Sequence, residues 1–329
     1  MSRDARLDNI KALLIFFVVL GHSVEYLCGV RGGYGALRAF IYSFHMPAFV
    51  FVSGFLARKS KSALAEVTIK YLSTYMIFNT LFALTPWHDR SPAEFLYPQF
   101  IYWYLLCLWL WRALIKTIST IRFAIPFSII FTLYIGTCVK ADRFMSISRA
   151  ACFFTFFLIG YLFPMEKIEK LKKSYMWVLL LGATGITLSA YYLGLIPVKM
   201  YEYIQSYEAT KVDNISGIIM RIVMITVSMI FIGCLLKLMP GRESVFTIFG
   251  RNSIVIYLIH IFIIKATGEF GFRGFGNEIL NIGFCILFSL LICIILSRPL
   301  FAKIYNVMIG NIVKIFVPGN NNQKQLWVS

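Results

Sequence analysis

Charge is scarce in this sequence: Asp, Glu, Lys and Arg together make up 14% of 329 residues, about half the share of an ordinary soluble domain. Apolar residues take their place, at 59% of the chain with a mean hydropathy of +0.75. A water-soluble globule of this length has too little interior to hide that much apolar surface, which excludes a soluble enzyme and a disordered chain. Acidic residues are scarcer still, 15 against 32 basic ones, for a net charge of +17. In a soluble protein that excess would point to nucleic acid. Basic cytoplasmic loops of a membrane protein account for it here, and no nucleic-acid partner is expected. Cysteine is present but shows no CxxC or metal-ligand spacing. All seven (Cys28, Cys107, Cys138, Cys152, Cys234, Cys285, Cys293) lie in or at the ends of apolar runs. They read as small apolar side chains, with no metal site expected. An internal repeat is also lacking, which weakens a transporter reading.

What the sequence has is long apolar windows. About ten of them are close to membrane-spanning length: 10–28, 37–57, 67–85, 99–115, 123–139, 149–164, 175–193, 216–237, 252–267 and 278–297. The expected fold is therefore all-α, a polytopic transmembrane helical bundle. The first window follows Arg3, Arg6 and Lys11, as in a signal peptide, but no small-x-small cleavage site follows it, so it is expected to be retained. With the N-terminus inside, 21 Lys and Arg fall on cytoplasmic segments and 10 on outer ones. That bias predicts both termini in the cytoplasm. Residues 1–315 read as one integral-membrane domain and 316–329, containing NNNQKQ, as a short disordered cytoplasmic tail. The longest outer loop, about 194–215, is polar and Tyr-rich but too short to fold alone.

Ionisable residues inside a bilayer are costly and mark function by default. His22, His45 and His260 all lie in apolar runs, whereas His88 lies in PWHDRSP and reads as an ordinary solvated loop residue. Lys11 precedes His22 by 11 positions, which leaves the two about 20° apart around a helix and roughly 16 Å apart along it. Glu25, at i+3 from His22, can orient the imidazole and raise its basicity. His45 lies 13 residues before Arg58, about 20 Å of helix, so it should sit at a depth similar to that of His22. Two imidazoles at one depth make a candidate proton-transfer pair; packing histidines are the bland alternative. Pro47 and Gly54 nearby relax or tighten helix packing. His260, with Tyr257 one turn before it, reads equally well as a satisfied buried histidine or as a substrate contact. Arg221 can bind an anionic group or snorkel outward. Arg58, Lys59, Lys61, Lys70 and Arg112 form a basic cytoplasmic rim that suits the phosphates of a nucleotide-like cofactor, although inside-positive topology alone would also produce it. Trp103, with its aromatic neighbours, is a candidate substrate contact or part of an interfacial belt.

Four phrases in order, RLDNIKALLIFFVVLGHS, FHMPAFVFVSGFLARK, YWYLLCLWLWR and GRNSIVIYLIH, resemble the integral-membrane acyltransferase-3 family, in particular its fucose 4-O-acetylase-like and other bacterial sugar O-acetyltransferase branch. The resemblance implies an acyltransferase of the bacterial inner membrane. It would move acetyl from cytoplasmic acetyl-CoA to a hydroxyl of a cell-surface or lipid-linked glycan, beside polysaccharide-assembly proteins. The family pattern of a basic residue, ten residues and a histidine falls on Lys11 and His22. Arg is commoner at the first position, and Lys loses the bidentate fork toward phosphate. Some relatives carry a fused esterase-like domain; without one, this chain would acetylate the acceptor itself or pass the group to a partner.

In this scheme His22, His45 and Glu25 are catalytic, Lys11, Arg58, Lys59 and Arg112 hold the donor, and Arg221, His260 and Trp103 contact the acceptor. His22 serves either as general base or as transient acetyl carrier. Three rivals stand beside it. One is another membrane O-acyltransferase class centred on His260 with Asn252 upstream. The second is a permease or flippase for lipid-linked sugars, and the third a structural subunit of an export complex.

Overall fold

The computed structural model describes residues 4–60, 62–88, 96–139, 144–272 and 274–316. Every regular element among them is helical: α1 (Ala5–Leu27), α2 (Gly32–Tyr42), α3 (His45–Lys59), α4 (Leu64–Ala83), α5 (Trp103–Ile118), α6 (Ala124–Ile135), α7 (Ile147–Leu162), α8 (Glu166–Glu169), α9 (Lys173–Tyr192), α10 (Asn214–Leu238), α11 (Thr247–Arg251), α12 (Ser253–Glu269), α13 (Glu278–Leu296) and α14 (Pro299–Phe316), with short 3-10 turns between some of them. Each of the ten apolar windows falls on one of these helices or on the α2–α3 run. Six stretches are long and apolar enough to cross a membrane: Ala5–Leu27, Gly32–Lys59, Phe144–Leu162, Lys173–Tyr192, Asn214–Leu238 and Glu278–Leu296. The remaining windows lie on helices that are shorter or less apolar. The expected tail lies outside the described residues from residue 317 onward, and α14 is a helix that no window anticipated.

The chain divides into two compact units. Among the described residues, the first comprises those within 4–49, 164–201 and 219–302; the second comprises those within 50–163, 202–218 and 303–316. In the first unit α1 is the inner helix, packed against α2, α11, α12 and α13. Its most apolar window is 67% buried, against 22% for α9. α9 is nevertheless apolar, with Val178, Leu181 and Ile186 exposed. A helix that is apolar all round but uncovered by protein has a hydrocarbon environment as its natural solvent.

The break between α2 and α3 has a local cause. Pro47 carries no N–H, so the carbonyl four residues earlier, at Ser43, has no helical donor. Ser228 of α10 supplies one, donating its hydroxyl to the Ser43 carbonyl at 2.6 Å. At the N-terminus of α13, Asn277 accepts from the amides of Ile279 and Leu280, satisfying two of the amides that a helix start leaves orphaned.

In the second unit α4 packs on α5, and α7 on both α5 and α6. Thr132 and Thr155 join α6 to α7 through their hydroxyls at 2.9 Å, a polar bond of the kind that fastens helices where no hydrophobic drive operates between them. The closest approach in this unit is between α3 and α7. A Cβ on Gly54 would lie 2.0 Å from the Phe157 carbonyl oxygen, and one on Gly160 would lie 2.1 Å from that of Phe51. The two glycines thus let each backbone rest on the other, the close packing that Gly54 permits.

Alanine at either glycine must push the helices apart. Gly54→Ala and Gly160→Ala are each expected to cost on the order of 1–3 kcal/mol, the range for overpacking a tight contact. The double variant should cost less than the sum, because the first methyl has already opened the crossing. Thermal unfolding of the purified protein in detergent measures both effects.

Candidate active site

α1 presents polar groups at both ends of an otherwise apolar helix. At its N-terminal end Asp8, with a side chain 4% exposed, accepts from Lys11 Nζ at 3.1 Å. Arg251, the last residue of α11, faces the other oxygen of Asp8 at 3.6 Å and also pairs with Glu243. One buried carboxylate thus faces two cations, the arrangement that offsets the cost of taking charge out of water. Asn9 is fully engaged beside it. Its amide donates to the carbonyls of Pro240 and Arg242, both at 2.9 Å, and its oxygen accepts from Thr247 at 2.6 Å. The close approach depends on Gly250, where a Cβ would lie 1.8 Å from the Asp8 carbonyl oxygen. Two of the matching phrases, RLDNIK and GRNS, therefore meet in space: Asp8 and Asn9 clamp α11, which carries Gly250 and Arg251, and the loop before it. Sequence reasoning singled out Lys11 but missed Asp8, Asn9 and Arg251. The available signal was the Asp-Asn pair at the head of an apolar run.

Three turns along α1, His22 Nδ1 lies 3.0 Å from His260 Nε2 of α12. The rings are within 8° of parallel, with centroids 5.3 Å apart. That separation, with nitrogens in contact, describes two imidazoles meeting edge to edge in one plane rather than face to face. His260 is fully buried, and its Nδ1 lies 2.9 Å from the Ile256 carbonyl. A carbonyl only accepts, so His260 Nδ1 carries the proton. In the neutral pair His260 Nε2 then accepts from His22 Nδ1–H, and the lone pair of His22 resides on Nε2. Sequence reasoning treated His260 as an acceptor contact and sought the partner of His22 in Glu25 or His45; the structure pairs His22 with His260.

Glu25 and His45 belong to a neighbouring network. The Glu25 carboxylate accepts from Arg38 at 3.1 Å and from the Tyr42 hydroxyl at 2.9 Å. Arg38, counted in the sequence among outer-loop charges, is buried within α2 and also lies over the Tyr42 ring. His45 donates from Nδ1 to the Ile41 carbonyl at 2.8 Å, and its ring meets the edge of Tyr42. Tyr42 also lies against α1, since a Cβ on Gly21 would meet its ring at 3.3 Å. Tyr42 is thus the piece that joins Glu25 and His45 beside the His22 turn. Ser289 of α13 donates to Ser23, which donates in turn to the Val19 carbonyl. Asn252 donates to the Ser297 carbonyl, which gives it a part in joining α12 to the end of α13. Arg221 is buried without exposed surface, so it does not snorkel.

The basic rim residues lie in the second unit. Lys70 and Arg112 both approach the Tyr71 ring, at 5.6 and 5.8 Å. Arg58 donates to the Phe163 carbonyl at 3.3 Å, and Lys59 lies over Phe55; both are exposed. Ser53 and Tyr104 share a hydroxyl bond at 2.7 Å. Trp103 is buried, with Phe153 stacked on it and the Arg149 guanidinium 4.6 Å from its ring centre. Packing accounts for those contacts. His88 is exposed and bonds the Thr85 carbonyl, as a solvated loop histidine does.

Residues 4–298 match the acyltransferase domain of the acyltransferase-3 family. The chain belongs to that family, whose members are typically membrane acyltransferases, and all four phrases noted in the sequence lie within the matched range. No curated protein and no solved structure matches the chain.

Asn9→Leu removes the clamp while keeping the side-chain volume. It takes the donor from two carbonyls and the acceptor from the Thr247 hydroxyl, which still accepts from the Ser244 amide, at about 1–3 kcal/mol for each group that water does not reach. The loop 239–246 should then open. Limited trypsin digestion should cut after Arg242 faster in the variant than in the wild type.

Proposed function

We propose that this chain is a membrane-embedded O-acyltransferase of the sugar O-acetyltransferase branch. It moves acetyl from cytoplasmic acetyl-CoA to a sugar hydroxyl of a cell-surface or lipid-linked glycan in the bacterial inner membrane. The observation that carries this reading is the His22–His260 bond, because it leaves a basic nitrogen on His22 within an apolar helix bundle. Acyl transfer to an alcohol needs that group.

In the general-base version, His22 Nε2 takes the proton of the sugar hydroxyl as its oxygen attacks the thioester carbonyl. The C–S bond breaks, and the CoA sulfur leaves with the proton returned from Nε2. His260 stabilises the imidazolium through the Nδ1–H···Nε2 bond, which strengthens once the donor ring is charged. In the carrier version, Nε2 itself attacks the thioester carbonyl, the C–S bond breaks and CoA leaves as the thiolate. The sugar hydroxyl oxygen then attacks the acetyl group, its N–C bond to Nε2 breaks, and the hydroxyl proton goes to the CoA thiolate.

Lys11 and Arg251 flank Asp8 at the other end of α1. Lys11 is roughly 16 Å of helix from His22, a separation that suits a donor whose anionic head sits at the surface while its thioester reaches inward. Both chain termini lie in the cytoplasm on this reading, following the bias of basic residues. Glu25, Arg38 and Tyr42 frame the acceptor side with His45.

The test is the mass of the surface glycan from cells with the gene intact, deleted, or carrying His22→Ala or His260→Ala, with membrane levels of each variant measured. The expected result is loss of acetyl groups in the deletion and in His22→Ala, whose rate should fall by about 10²–10⁴. His260→Ala should be weaker, and His260→Gln, which restores an acceptor for His22 Nδ1–H, should recover part of the loss. Glycan of unchanged mass but altered amount on deletion would overturn the proposal in favour of a permease or flippase. Full loss in His260→Ala with normal acetylation in His22→Ala would favour the His260-centred class.

A further inference from the structure

The cysteines are scattered in sequence and read there as inert side chains, yet two of them meet. In the first unit Cys28 Sγ and Cys285 Sγ are 3.4 Å apart, although 257 positions separate them. Cys28 directly follows α1, in a non-helical conformation with φ −122° and ψ −37°, and is half-exposed. Gly29 comes next with φ +125°, and no atom lies within 4 Å of where its Cβ would stand. The chain therefore has room to move at this point. Cys285 is held in α13, fully buried, on a helix that packs directly against α1. A disulfide needs its sulfurs about 2.05 Å apart, so a closure of roughly 1.3 Å separates the observed contact from a covalent bond. Cys28, in its non-helical conformation past the end of α1, can supply that movement.

The geometry points to Cys28 and Cys285 as a dithiol site of oxidative modification, closed by exchange with an external disulfide. The Cys28 thiolate attacks the external disulfide, forming a mixed disulfide and releasing one thiol. Cys285 then loses its proton and attacks Cys28 Sγ, which forms the Sγ–Sγ bond and releases the second thiol. Two electrons and two protons leave the protein on the two thiols released. Burial raises the Cys28 thiol above its usual range, against a smaller opposing effect of the bond with Cys285, so exchange should quicken as pH rises. The bond would tether the end of α1 to α13 six residues beyond His22. This inference is independent of the acyl-transfer reading.

The full-length protein in detergent is treated with 4,4′-dithiodipyridine at mildly alkaline pH, alkylated, digested and mapped by mass spectrometry. The expected product is a peptide pair joined through Cys28 and Cys285, two hydrogens lighter than its parts and separated by reduction, with no pyridylthio group on either residue. In Cys28→Ser the joined pair should be absent and Cys285 recovered as an alkylated thiol. Recovery of wild-type Cys28 with the pyridylthio group still attached, beside Cys285 as a thiol, would overturn the proposal. So would a bond from Cys28 to Cys293 in place of Cys285.

Discussion

In a hydrocarbon environment a polar group without a partner inside the protein has none at all, and that constraint shapes each functional feature of this chain. Pro47 frees the Ser43 carbonyl, and Ser228 is there to bond it. Asn9 spends both ends of its amide on three partners. Asp8 is buried only because Lys11 and Arg251 face its two oxygens. His45 and His260 each turn one ring nitrogen to a carbonyl four residues earlier in their own chain. Satisfying a group also fixes its orientation, so the rule that lets these residues enter the bundle is also what aims them.

The helices were largely legible because membrane-length apolar windows need no tertiary information. Boundaries drifted where polar residues belong to a helix through distant partners. The window at 10–28 begins five residues late because Asp8 and Asn9 look like loop residues until the loop before α11 is folded onto them. α14 escaped for a different reason. It buries Tyr305, Ile309 and Val313, spaced four apart along one stripe, while Lys303 and Lys314 spoil any uniform window. The stripe is readable at helical period but not as a uniform apolar length.

The site was legible in part. His22 and Lys11 stand out as ionisable groups in an apolar run, and their placement on one helix follows from arithmetic. The partner of His22 does not, since 238 positions separate it from His260 and the rotation of one helix against another is set by packing around both. Glu25 illustrates the same limit: at i+3 it is within reach of His22, but a cation and a phenol from α2 take up its carboxylate. Local spacing says what a side chain can reach, and the fold decides what it meets first.

The histidine pair has one property that a side-chain view conceals. In many acyl-transfer sites a carboxylate fixes the tautomer of the working imidazole. Here the anchor at the far end of the pair is the main-chain carbonyl of Ile256, one turn back along α12. No ionised acid has to be carried into the bundle to orient the base, which removes a desolvation cost that the membrane would impose. The anchor is also invisible to ordinary mutagenesis, because every residue placed at position 256 brings the same carbonyl. The orientation of the histidine pair is thus written in the helix itself and persists for as long as that turn of α12 stays wound.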